Sequence, residues 1–80
     1  MNIEDIITLD DNKEYLILDI IELNKERFLY CVEIDEEEMP KQEYKYLKEI
    51  IENGEVYTEE VKDKDLLEAL TALVLADNLE

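Results

Sequence analysis

The side chains of this sequence that can do chemistry are almost all carboxylates. Aspartate and glutamate number 24 among 80 residues, against 8 lysines and arginines, and the formal net charge is −16. Paired carboxyls hydrolyse glycosides when they face each other about 5–10 Å apart across a cleft. Here every acid has acidic neighbours, so no pair is singled out, and a chain this short offers little depth for a cleft. Asp10, Asn12 and Glu14 mimic the first three ligand positions of a calcium loop. Tyr15 follows where such a loop needs glycine for its sharp turn, and no suitable glutamate closes it. The run Asp35-Glu36-Glu37-Glu38 reads as a solvated stretch of charge.

The absences are as informative. With no serine and no histidine, neither a Ser-His-Asp triad nor a Cys-His pair can be built, nor a Cys/His zinc site. The single glycine cannot make a phosphate-cradling loop. Cys31 stands two residues from Glu33, and an adjacent carboxylate raises a thiol pKa, so Cys31 reads as a packing residue. The expectation is a non-enzyme with no catalytic residue, no metal site and no cofactor.

The charge also selects partners. Nucleic acid and an anionic membrane surface are repelled, whereas a basic protein surface is attracted. One cysteine excludes an intrachain disulfide and fits a cytoplasmic setting. The opening residues carry no basic region or long apolar stretch of a signal peptide. The longest apolar run, Ala72 to Ala76, is too short to span a membrane.

Apolar periodicity says which elements position these groups. Hydrophobic residues make up 46% of the chain, enough to form a core. The length allows one small acidic domain over residues 1–80, with a thin core. Ile6 to Leu9 is rich in β-branched residues and is followed by the turn composition Asp10 to Lys13. Tyr15 to Leu23 predicts a strand apolar on both faces, with Leu16, Leu18 and Ile20 on one and Ile17, Ile21 and Leu23 on the other. After a tight turn at Asn24 to Glu26, Arg27 to Ile34 returns as a third strand. It places Phe28, Tyr30, Val32 and Ile34 on one side and Leu29, Cys31 and Glu33 on the other. Asp35 to Pro40 predicts an exposed loop. Residues 43 to 52 fit either helix or strand. The following Asn53-Gly54, a type I′ hairpin signal, favours strand, turn and a fifth strand through Val56-Tyr57-Thr58.

The last segment is helical. Asp63 is the N-cap candidate, and Leu66, Leu67, Leu70, Leu73 and Val74 recur at helical spacing. Leu75 falls on the polar stripe, either as a tolerated exposed leucine or as a contact for a partner. The sum is an α+β fold: an antiparallel β-meander of about five strands with one C-terminal helix packed on the sheet. The helix can cover one face, and a second copy, making a homodimer, the other.

Residues Glu4 to Asp11, Glu14-Tyr15, Leu18 to Leu23 and Arg27 to Tyr30 resemble the DUF1292 family, small and very acidic proteins of Firmicutes and their relatives. The likeness runs in order along nearly the whole chain. It departs after the third strand, where Tyr44-Lys45-Tyr46-Leu47-Lys48, with Pro40 ahead of it, replaces the family's usual aromatic-basic strand. The resemblance implies a bacterial or phage protein of the cytoplasm and supplies no catalytic positions.

Two functions fit. In the first, the chain is a non-enzymatic protein-interaction or regulatory module using a sheet edge, an apolar sheet face or the helix around Leu75, with tyrosines as anchors. In the second, it mimics nucleic acid and inhibits a DNA- or RNA-binding enzyme. Alternate carboxylates on a strand then stand about 6.8 Å apart and occupy a phosphate-gripping site, which demands a one-sided acidic face. The candidate partner-binding residues are Glu33, Asp35, Glu36, Glu37, Glu38, Tyr44, Tyr46, Glu55, Tyr57, Glu59, Glu60 and Leu75.

Overall fold

The computed structural model describes residues 2–78. Five strands, β1 (Ile6–Thr8), β2 (Glu14–Leu23), β3 (Glu26–Ile34), β4 (Pro40–Glu52) and β5 (Glu55–Glu60), are followed by one helix, α1 (Lys64–Asn78). All neighbours are antiparallel and the sheet order is β1-β2-β3-β4-β5, the expected meander. The ambiguous residues 43–52 belong to strand β4. Asn53 (φ 51°) and Gly54 (φ 80°) both take positive φ, as a type I′ turn requires. Asn24 (φ 54°) and Lys25 (φ 67°) turn the β2–β3 hairpin the same way without glycine.

Two predictions need correction. Pro40 does not lie in the loop but opens β4, opposite Ile34. A first strand residue can do without an amide donor, so proline is tolerated there. The loop itself is Asp35 to Met39. The Asp35 carboxylate holds it by accepting from the amides of Glu37 (2.8 Å) and Met39 (3.0 Å). The second correction concerns β2. A bulge between Ile17 and Asp19 leaves Leu18 without a partner and resets the alternation. Ile20 therefore shares a face with Tyr15 and Ile17 instead of Leu16 and Leu18.

The sheet is curled, and its two faces build two cores. On the inner face Tyr15, Ile17, Leu29, Cys31 and Leu47 are fully buried, with Ile7, Leu9 and Ile20 packed against them. On the outer face Ile21 and Phe28 join Val61 and the helix residues Leu70 and Val74. The inner core is partly covered by the chain's own first segment, because β1 and the residue after it bring Ile7 and Leu9 against it.

Asp63 caps α1 as predicted, accepting from the amides of Asp65 (2.9 Å) and Leu66 (3.4 Å). The helix meets the sheet along a narrow stripe: Leu70 and Val74 are buried, and Leu66 and Leu67 are partly so. Thr71 adds a hydroxyl contact of 3.1 Å to the Tyr46 hydroxyl. No helix among the described residues is long and apolar enough to cross a membrane.

Candidate functional site

Curling brings the first and last strands to opposite sides of a cleft of about 460 Å³ on the inner face. Ile7, Leu9 and Leu47 give it apolar walls, Val56 and Thr58 come from β5, and Asp10, Asp11 and Glu60 bring carboxylates. Lys45 stands among them. Register pairs it with Cys31, so it points to the inner face, and its ammonium lies 5.1 Å from the centre of the Tyr15 ring. It bridges Asp11 (3.4 Å) near β1 and Glu60 (3.2 Å) at the end of β5. The ammonium is thereby held above its ordinary pKa, chiefly by the Tyr15 hydroxyl and then by Glu60. Asp11 is in turn fixed by the amide of Lys13 (2.9 Å) and the hydroxyl of Tyr15 (3.1 Å). The Lys13 amide is the main cause of its lowered pKa.

Two buried acids flank this arrangement, and only one was a candidate. Glu33 is 4% exposed, and its carboxylate accepts from Lys41 at 2.8 Å and lies 3.7 Å from Lys13. The hydrogen bond from Lys41 holds its carboxyl below the usual range. Glu33 is therefore a paired interior group, not part of an exposed acidic row. Glu49, on the same face of β4, sets Oε1 3.4 Å from Arg27. Its Oε2 finds no hydrogen-bond donor among the described residues.

The other candidates are dispersed. Asp35 is half-buried and ties the loop, while Glu36, Glu37 and Glu38 are exposed. Tyr44 and Tyr46 come together on the outer face by each stacking on Tyr30, with centroid distances of 5.6 Å and 4.9 Å. Burial raises the Tyr30 hydroxyl pKa, and the two neighbouring phenols add to it. Tyr44 is 54% exposed, whereas Tyr46 is partly covered. On β5, Glu55, Tyr57 and Glu59 share the outer face while Glu60 turns inward. Tyr57 donates to Glu55, which raises the tyrosine pKa. Leu75 is 59% exposed on α1, beside Leu67, Thr71 and Ala72.

Acids thus occupy both faces of the sheet and its turns. Burial pushes the Cys31 thiol up to about 12, so this side chain is no thiolate nucleophile at neutral pH. The cleft residues Asp10, Asp11, Lys45, Val56 and Thr58 were not among the sequence candidates. Asp11 and Lys45 are 34 positions apart, and no local spacing joins them. Comparison of the chain with protein-family models, curated proteins and solved structures gives no match.

Proposed function

We propose that the chain is a non-enzymatic protein-interaction or regulatory module whose partner presents a basic surface. The observation that carries this reading is the cleft between β1 and β5, where Asp10, Asp11 and Glu60 surround apolar walls and one lysine. Such a site attracts cationic side chains and offers them area to bury. The nucleic-acid mimic calls for carboxylates gathered on one side. Their spread over both faces, as at Glu55 and Glu59 against Glu60, favours the first reading. Kinship with the DUF1292 family belongs to the same proposal and is sharpest over residues 4 to 34, the segment of β1 to β3.

The test is capture from a bacterial lysate at low and at high salt, followed by reconstitution with the purified partner. The expected partner has a basic surface and is released as salt rises. A nucleic-acid enzyme whose activity the chain inhibits would replace this reading with the mimic. Failure to reconstitute any complex would overturn both.

A further inference from the structure

The two walls of the cleft are sheet edges, and the pairing pattern shows which backbone groups they present. The Val61 amide donates to the Tyr46 carbonyl at 2.9 Å, in line with the register Lys48 to Glu59, Ile50 to Tyr57 and Glu52 to Glu55. Antiparallel pairs alternate, so Glu55, Tyr57 and Glu59 spend their amides and carbonyls on β4. Those of Val56, Thr58 and Glu60 point the other way, where β5, as the last strand of the sheet, has no neighbour among the described residues. The same alternation holds opposite. Ile17 donates to Asp5 (2.9 Å) and Leu9 to Lys13 (3.1 Å), which turns the amides of Ile6 and Thr8 away from β2.

Open edges are commonly guarded by lysine, proline or a bulge. β5 reads Glu-Val-Tyr-Thr-Glu-Glu and pairs with β4 without a register shift, so it has none of the three. Its only guard is negative charge, which repels another acidic chain and welcomes a basic one. Two copies of this protein, each carrying −16, are poorly suited to pair there. Of the rim carboxylates, Asp11 and Glu60 share the single ammonium of Lys45, and the rim remains net negative.

We propose that the outer edge of β5 is a strand-docking site, at which the backbone of Val56, Thr58 and Glu60 pairs with an extended basic segment of a partner protein. The added strand lies in the cleft as a sixth strand. Main-chain hydrogen bonds supply affinity, and alternate lysines or arginines meet Asp10, Asp11 and Glu60. This inference rests on the interaction-module reading and adds the kind of partner and the way it binds.

The test compares two blocked hexapeptides of equal charge, one alternating lysine with valine and one alternating lysine with proline, titrated into the full chain at low salt. The valine peptide is expected to bind at least 10-fold more tightly and to slow hydrogen exchange at the amides of Val56, Thr58 and Glu60. Thr58→Pro, which removes an outward amide at an edge position that tolerates proline, is expected to lower that affinity at least 10-fold. Equal binding of both peptides, or protection elsewhere, overturns strand docking and leaves the interaction module standing on charge alone. No binding of either peptide overturns strand docking, and failure of the reconstitution test then removes the broader reading as well. Because the peptide comparison uses the unaltered chain, it decides the matter even where Thr58→Pro fails to fold.

Discussion

Replacing Leu70 by alanine tests whether α1 is held by the sheet. Leu70 is 0% exposed and sits between Val61, Phe28 and Val74. Burying a leucine side chain is worth about 1.5–3 kcal/mol, and a leucine-to-alanine change adds the cost of the cavity left behind, for a typical total of about 2–5 kcal/mol. The outer core is narrow and one wall of it is the helix, which can shift to fill part of the gap. A loss of about 3 kcal/mol is therefore expected. An 80-residue domain is stable by roughly 4–12 kcal/mol, and self-repulsion places this one toward the lower end, so the variant should be close to its limit. A 15-residue helix is marginal when undocked, so loss of contact will show as loss of helical signal. The assay is urea unfolding followed by circular dichroism at 222 nm and by tyrosine emission. Leu75→Ala, on the exposed side of the same helix, serves as the control and should change stability by less than about 0.5 kcal/mol. A loss below about 1 kcal/mol for Leu70→Ala, or equal effects for the two variants, would refute the claim that this stripe packs on the sheet.

Three further outcomes follow from the charges and the thiol. The Glu33 carboxyl is lowered by Lys41, so its contribution is present above the ordinary carboxylate pKa and lost as pH falls through the lowered folded value. Glu33→Gln should therefore melt below the parent at pH 7, and the gap should close toward pH 3 in a differential scanning series. Cys31, buried and with a pKa of about 12, should resist a disulfide reagent at pH 8 in the folded chain and react at once in denaturant. Because 16 excess negative charges repel in the compact state, the melting temperature should rise with sodium chloride between low and moderate ionic strength.

Much of the fold was legible because short-range signals agreed. Asn53-Gly54 decided the strand assignment of Glu43 to Glu52, Asp63 marked the helix start, and the alternation of Arg27 to Ile34 survives unchanged in β3. The bulge at Leu18 was not legible. A period-two count assumes an unbroken ladder, and the misplacement of Ile20 follows directly from that assumption. The candidate site was read less well. Exposed acids such as Glu36 to Glu38 announce themselves by their clustering, but the pairing of buried Glu33 depends on Lys13, from the turn before β2, and Lys41, from β4. The cleft depends on the sheet's curl, which sets Asp11 and Glu60 on opposite sides of Lys45. Pairwise register along the chain does not encode that curvature.

The neighbour-to-neighbour strand order has a kinetic consequence. Each strand joins the one just before it through a short bend, so no ribbon must wait for a distant segment to return across the chain. The entropy of ring closure grows with the span enclosed, and here the spans are small. Among sheet proteins, such local connectivity favours faster folding than pairings between distant segments. The central hairpin of β2 and β3, holding most of the inner core, is the natural place for the reaction to begin, and growth outward from it leaves the two margins to form last.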